Sequence, residues 1–492
     1  MARYITVLGT QSHAGKSVIV TALCRILKRR GYRVAPFKSQ NMSNNSWITR
    51  DGSEIGIAQA IQAFAAGAVP CAEMNPVLLK PKSNYISQVV VLGKPVGDRR
   101  AGDYYTSIDE MMAIATGALE KLSLDYDVVV IEGAGGAAEI NLYGRDIANS
   151  RMARAAGSPI LLVGDIERGG VFASLYGTVA LLPEEDRHLV KGLIINKFRG
   201  DPALLEPGIA ELERLTGVPV LGIVPWRGLR IPSEDSVSID DKPVGGPGLD
   251  IAVIRLPHIS NFTDFEALEP AASVRYVPLE SSLGRPDIVI LPGTKNTVGD
   301  LKALRASPAF GEVRRLAREG TPVIGICGGY QMLGRLVSDS GIEDGREETI
   351  EGIGLLPVET RFGAYEKCTR QAMKTVTGDG PILGRIRGVS VKGYEIHMGL
   401  TESGSPAFGD DGCVDGAGTV IGTYLHGIFD NAPFRDAVLA YACERKGIEY
   451  KPPARQADPY DELADVVASS VDVDAIIALI EGQGKKPGQT PG

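Results

Sequence analysis

The sequence predicts an α/β protein of two doubly wound domains, each a mostly parallel sheet covered by helices. Three observations lead there. The apolar run Tyr4-Ile5-Thr6-Val7-Leu8 passes through a loop ending in Gly15-Lys16-Ser17 into a helical stretch from Val18 to Arg30. Far downstream, Pro322-Val323-Ile324 leads into Gly325-Ile326-Cys327-Gly328-Gly329 and a second helix start. Between them, short apolar runs such as Asp127 to Ile131 and Gly192 to Ile195 end in polar residues. That is the pattern of buried parallel strands whose carboxyl ends carry ligand-binding groups.

At 492 residues the chain is too long for one core. A first domain is expected over 1–230 and a linker over 231–248, where Ser, Asp, Pro and Gly replace large apolar residues. A second domain is expected over 249–440, and a helical segment with a polar, flexible tail over 441–492. Apolar residues at 44% and charged residues at 23% are ordinary for a globular protein. The 52 basic and 60 acidic side chains leave a net charge of -8, which disfavours nonspecific nucleic-acid binding. No apolar run approaches the ~18 residues of a membrane helix, and a strand begins at once, with no signal peptide expected. Six scattered cysteines without a Cys-x-x-Cys pair fit a reducing compartment. The expectation is a cytoplasmic protein with no nucleic-acid or membrane partner; a homo-oligomer is compatible with it.

The first loop is Gly9-Thr10-Gln11-Ser12-His13-Ala14-Gly15-Lys16-Ser17. Strand, Gly-Lys-Ser and helix in that order make a phosphate-binding loop. Its amides and the helix N-terminus would cradle phosphate oxygens, Lys16 would neutralise them and Ser17 would ligate magnesium, so ATP and Mg2+ are expected. Five residues, not the usual four, separate Gly9 from Gly15. The strand Tyr32 to Pro36 then enters an amide-rich cluster, Lys38-Ser39-Gln40-Asn41-Met42-Ser43-Asn44-Asn45-Ser46, at the sheet edge where α/β proteins bind ligands. Lys38 suits a phosphate or a substrate carboxylate. Glu132, at the tip of the strand that starts at Asp127, is the first choice for a metal-holding acid, and Glu54 the second. Asp146 and Asp165 occupy similar edges.

In the second half, a residue flanked by glycines between strand and helix is a nucleophile elbow, here presenting Cys327. The tip Pro292-Gly293-Thr294 follows another strand, so the amides of Gly293 and Gly328 are expected to receive an oxyanion on Cys327. A base must come from five histidines. His13 lies in the phosphate loop, His188 in a charged run, and His258 after a strand. Spacing alone does not choose between His397 and His426, because a Cys–His pair is spatial.

The longer loop, Gly-Thr-x-x-x-x-Gly-Lys-Ser, resembles that of dethiobiotin synthetase. Partitioning ATPases share this fold but carry a second lysine where Gln11 stands. Phe37-Lys38-x-Gln40-Asn41-Met42-Ser43, Glu54-Ile55-x-x-Ala58-Gln59-x-x-Gln62-Ala63 and Asn75-Pro76-x-Leu78-Leu79-Lys80-Pro81 together resemble the cobyric acid synthase family. Gly164-Asp165-Ile166-Glu167-Arg168-Gly169-Gly170 fits the same pattern. Gly422-Thr423-Tyr424-x-His426-Gly427 resembles the class I glutamine amidotransferases of that branch.

The resemblance implies a P-loop NTPase-like, dethiobiotin synthetase-like domain followed by a flavodoxin-like class I glutamine amidotransferase domain. It implies ATP- and glutamine-dependent amidation of a corrinoid, with Cys327 and His426 releasing ammonia from glutamine. Asn196 would read the adenine, and Gln331 would lie near the glutamine substrate. Lys38, Gln40, Asn41, Ser43, Asn75 and Lys80 would bind the corrinoid. His397 would line the site or a domain interface. Most class I relatives follow the histidine with Pro-Glu; here Gly427-Ile428 stands instead, so the group orienting His426 is left to Glu395 or a backbone carbonyl. Two other implied roles are an enzyme amidating only the a and c positions, and an ATP-dependent switch with a vestigial amidotransferase domain; Gln11 speaks against the latter.

Overall fold

The computed structural model describes residues 2–82, 86–100, 107–227, 248–343, 345–453 and 458–483. The predicted linker, apart from Gly248, and the tail beyond residue 483 lie outside the described residues. The chain packs as two units. One comprises Met1–Ser43, Ile55–Pro232 and Gln456–Gly492; the other comprises Asn44–Glu54 and Ser233–Arg455.

The first unit is built on a six-stranded parallel sheet. Its spatial order is Val220–Pro225, Val190–Phe198, Ile160–Asp165, Arg3–Gly9, Val128–Glu132 and Val34–Phe37. Val128 to Ile131 are fully buried, which explains why these strands read as unbroken β-branched runs rather than alternating ones. Arg3–Gly9 lies in the middle, between Val128–Glu132 and Ile160–Asp165. Register places Val7 opposite Glu132, so the loop after Gly9 and the carboxylate of Glu132 emerge from neighbouring strand ends. A side sheet of Gln40–Met42, Val77–Pro81, Ile86–Val91 and Lys94–Arg100 extends this unit.

Helix Lys16–Arg29 covers the central strands with Ile19, Leu23 and Leu27. The last two helices, Pro459–Ala468 and Val473–Glu481, share that core through Leu463, Val467 and Ile476. Arg25 and Arg29 fasten the first of them by ion pairs to Asp458, Asp461 and Asp465. The C-terminal helices therefore belong to the first unit. Helix Ala432–Lys446 runs across the expected boundary at residue 440.

The second unit carries its own sheet: Ala272–Pro278, Leu249–Arg255, Ile288–Leu291, Val323–Ile326 and Val420–Thr423, all parallel, with Cys413–Val414 antiparallel at the edge. Numbered along the chain, the parallel strands run 2-1-3-4-5, the flavodoxin order. A smaller antiparallel sheet joins Lys367–Thr375, Ser390–Met398 and Leu425–His426. There Tyr394 sits opposite His426, and Gly393 allows close approach, since a Cβ on it would lie 2.1 Å from the His426 carbonyl oxygen. Among the described residues, no helix is long and apolar enough to cross a membrane.

Candidate functional site

In the first unit, the strand Arg3–Gly9 turns through residues 10–15 into helix Lys16–Arg29. Gly15 has φ +97°, and a Cβ there would lie 1.9 Å from Asn196 Nδ2, so both conformation and space demand glycine. Asn196 donates from Nδ2 to the Ala14 carbonyl at 3.0 Å, tying the end of its strand to the loop. His13 adopts φ 60° on the exposed side of the turn, and Gln11 and Ser12 are also exposed. Lys16 is buried, donating to the Gly135 carbonyl at 2.7 Å and the Gln11 carbonyl at 3.1 Å.

Glu132 is fully buried, and three side chains converge on it. Ser17 Oγ donates to Oε1 at 2.8 Å, Lys38 Nζ pairs with Oε1 at 2.8 Å, and Gln62 Nε2 donates to Oε2. Hydroxyl and carboxylate oxygens beside a glycine-rich loop are the donor set a small hard cation takes. The Thr10 hydroxyl in the same loop is buried without a hydrogen-bond partner, as expected of an atom that meets a ligand. These residues fit a magnesium nucleotide.

Other expected ligand groups lie elsewhere. Glu54 is fully buried in the second unit, where it pairs with Lys367 and accepts from Ser46 Oγ. Asn75 is a brace. Its Nδ2 donates to the carbonyls of Lys38 and Val77, and its Oδ1 accepts from the Gly56 amide, all at 3.0 Å. Asn41 donates to Gln59 Oε1 at 3.1 Å and accepts from the Met42 amide at 2.9 Å. Both asparagines brace their own surroundings. Lys38 is buried and pairs with Glu132 at the carboxyl end of its strand. Gln40 is part-buried, Ser43 donates its amide to the Leu79 carbonyl, and Lys80 is buried on Val77–Pro81.

In the second unit, strand Val323–Ile326 ends at Cys327, which has φ 52° and ψ −110°. A non-glycine residue held there stores about 1–3 kcal/mol of strain, kept by its surroundings. The glycines around it are steric necessities. A Cβ on Gly329 would lie 2.0 Å from the Leu291 carbonyl oxygen, and one on Gly328 would lie 2.5 Å from Thr294 Cγ2. Gly329→Ala is therefore expected to destabilise the fold by about 1–3 kcal/mol of overpacking, seen as a lower midpoint in thermal unfolding. The loop holding Gly293 and Thr294 pairs with Ile259–Ser260, and Asp300 anchors it by accepting from Thr294 Oγ1 and from the ring of His258. A Cβ on Gly293 would lie 3.1 Å from His426 Cε1. Gly293, Gly328, Cys327 and His426 are thus brought together.

His426 is buried, and its Nδ1 donates to Asp264 Oδ2 at 2.7 Å. The other oxygen, Oδ1, accepts from the Gly427 amide at 2.9 Å, which fixes the carboxylate in the plane the ring needs. Burial alone would depress the imidazole pKa, but the charge and hydrogen bond of Asp264, reinforced by Cys327, push it well above its ordinary value. Asp264 holds the place that the sequence left to Glu395 or a backbone carbonyl. Glu395 is instead held by Arg370 at 2.6 Å and Lys374 at 2.9 Å. The absence of Pro-Glu after the histidine was the one sign that a carboxylate must come from another element. His397 stacks on Tyr424 with ring centroids 3.7 Å apart, and burial lowers its pKa to about 4, so it is neutral near pH 7.

Gln331 is buried and braced. Its Nε2 donates to the Met398 carbonyl at 2.8 Å and to Tyr424 Oη at 3.0 Å, while Oε1 accepts from Thr297 Oγ1 at 2.9 Å. One lone pair on Oε1 is what it retains for a ligand.

The CobQ/CobB/MinD/ParA nucleotide binding domain matches residues 5–236, and the CobB/CobQ-like glutamine amidotransferase domain matches residues 250–434. A Methanocella arvoryzae protein named "Probable cobyric acid synthase" is 74% identical over 99% of this chain and 100% of its own length. Proteins of the same name from Methanococcoides burtonii and Methanosarcina mazei are each 59% identical, covering 97% and 96% of this chain and 97% and 98% of theirs.

Proposed function

This chain belongs to the cobyric acid synthase family, and on that premise we propose that it amidates the b, d, e and g carboxylates of adenosylcobyrinic acid a,c-diamide, using ATP and glutamine. The observation that carries the reading is the Cys327–His426–Asp264 cluster in a chain that also places Ser17 and Glu132 beside a phosphate loop.

Asp264 holds the Nδ1 proton, so Nε2 is the nitrogen that takes the thiol proton. The Cys327 sulfur attacks the side-chain carbonyl carbon of glutamine, and the amides of Gly293 and Gly328 receive the oxyanion, a contribution of about 3–4 kcal/mol per donor in a serine-protease precedent. The imidazolium returns its proton to the departing nitrogen as ammonia leaves. Water, deprotonated by the same imidazole, then cleaves the thioester and glutamate departs.

In the nucleotide half, the loop from Gly9 to Ser17 would cradle the triphosphate, Lys16 would balance its charge and Asn196 is the residue proposed to read the adenine. Ser17 and Glu132 would hold magnesium, which would supply neutralisation of phosphate charge when bound. A corrinoid carboxylate takes the terminal phosphoryl group, and ammonia displaces phosphate from the acyl phosphate. Lys38, Gln40, Asn41, Ser43, Asn75 and Lys80 are the residues proposed to face the corrinoid. All six cysteines are unpaired thiols, which supports a cytoplasmic location.

Mass spectrometry of the product formed from the diamide corrinoid, magnesium ATP and glutamine tests this reading. The expected product carries an added amide at each of b, d, e and g. A protein that leaves the diamide unchanged but amidates the a and c positions of cobyrinic acid would refute it.

A further inference from the structure

Asn44–Glu54 interrupts the first unit in sequence but belongs to the second. It is locked along the strand Lys367–Thr375. Glu54 pairs with Lys367, both nearly inaccessible, and Gln371 Nε2 donates to the Ile48 carbonyl. The segment then reaches the histidine by two routes. The Ser46 amide donates to Asn261 Oδ1 at 2.9 Å, and Asn261 Nδ2 lies 3.4 Å from both ring nitrogens of His426. Equal distances put this amide on the plane that bisects the ring, bracing the imidazole rather than competing for either nitrogen. Separately, Trp47 packs against Tyr394 at 5.1 Å between ring centroids, and Tyr394 stacks on His426 at 5.3 Å with 18° between the planes. Trp47, Ile48, Tyr394 and Ile396 form a small apolar cluster of their own, and the Ile396 carbonyl faces the Cys327 sulfur at 3.5 Å.

We infer that Asn44–Glu54 is a positioning strap for the glutaminase histidine, with Trp47 setting the plane of the imidazole through Tyr394 and Ser46 holding Asn261 against the ring. Asp264 fixes one nitrogen of His426 but leaves rotation about that hydrogen bond open; the strap closes it. An amidotransferase domain cut at residue 249 would lack part of its own site. The inference rests on the glutaminase reading given above and adds residues to it that touch neither glutamine nor sulfur.

The test uses the full-length protein and measures glutamine hydrolysis and ammonium-driven corrinoid amidation side by side. Trp47→Ala is expected to lower kcat for glutamine about 100-fold, the scale of a misplaced catalytic group, with KM changing about threefold or less. Trp47→Phe, which restores an aromatic face, is expected to recover most of that loss. Asn261→Gly keeps the φ of 51° found at Asn261 and deletes only the bracing amide; it is expected to lower the same kcat about tenfold and serves if the tryptophan variant does not fold. Ammonium-driven amidation is expected to stay at the wild-type rate in all three. Wild-type kcat for glutamine in folded Trp47→Ala and Asn261→Gly would overturn the strap while leaving the proposed function intact. Equal loss of the glutamine- and ammonium-driven reactions would overturn it too, by showing a general structural role. Failure of the wild-type protein to hydrolyse glutamine would instead strike the proposed function.

Discussion

Cys327→Ala is expected to remove amidation from glutamine and to leave amidation from ammonium salts at the wild-type rate. The sulfur is the atom that forms the thioester, and loss of a triad nucleophile costs on the order of 10⁶-fold in kcat in a protease precedent. Alanine accepts the volume of the site, but it must also adopt the φ of 52° that Cys327 holds, so the fold bears the same strain before and after substitution. Nothing in the nucleotide half depends on the sulfur chemically. The phosphate loop, Lys16, Ser17 and Glu132 form their own network. The assay compares corrinoid amide formation with glutamine and with ammonium chloride at a pH where free ammonia is available. Parallel loss of both activities would mean that the thiol serves the synthetase half, contrary to the mechanism.

Asp264→Asn comes second in expected effect. Asparagine fits the space but can no longer accept the Nδ1 proton as a charged partner, so the ring is free to present the wrong tautomer to the sulfur. A protease triad loses roughly 10⁴-fold in kcat from the equivalent change. The sign of the accompanying pKa change follows from the forces on His426. Burial opposes the imidazolium and the carboxylate favours it, so removing the carboxylate moves the pKa down. Glutamine hydrolysis by the variant is expected to fall by 10²–10⁴-fold, with the acidic limb of its pH profile, set by deprotonation of His426, displaced to lower pH. Glu395→Gln, by contrast, breaks ion pairs to Arg370 and Lys374 and is not expected to move that limb. A wild-type pH profile in Asp264→Asn would return the orienting role to another group.

Both nucleophile and phosphate loop were legible because each is a local event: a strand, a turn that only glycine permits, and a helix. The constraint is written into adjacent residues, as Gly15 under Asn196 and Gly329 against Leu291 show. Asp264 was not legible, because nothing in the stretch Asn261-Phe262-Thr263-Asp264 distinguishes a triad carboxylate from an ordinary turn. Its role is created by folding that brings it to a histidine 162 positions away. The bracing by Asn41 and Asn75 was not legible either, because a polar side chain at a sheet edge reads the same whether or not it also satisfies nearby backbone. Glu54 shared a motif with true edge residues, but the chain leaves the first unit after Ser43 and carries it to Lys367. The excursion has no compositional mark, since Trp47 and Ile48 fit a strand in either unit.

The central claim is that nitrogen freed at Cys327 ends in the corrinoid. Its most direct test supplies wild-type protein with the diamide corrinoid, magnesium ATP and glutamine labelled with nitrogen-15 in the side-chain amide, at low ammonium. The account predicts one heavy nitrogen in every new corrinoid amide and unlabelled nitrogen throughout when Cys327→Ala is run with unlabelled ammonium. New amides that carry no label in the wild-type reaction would contradict it.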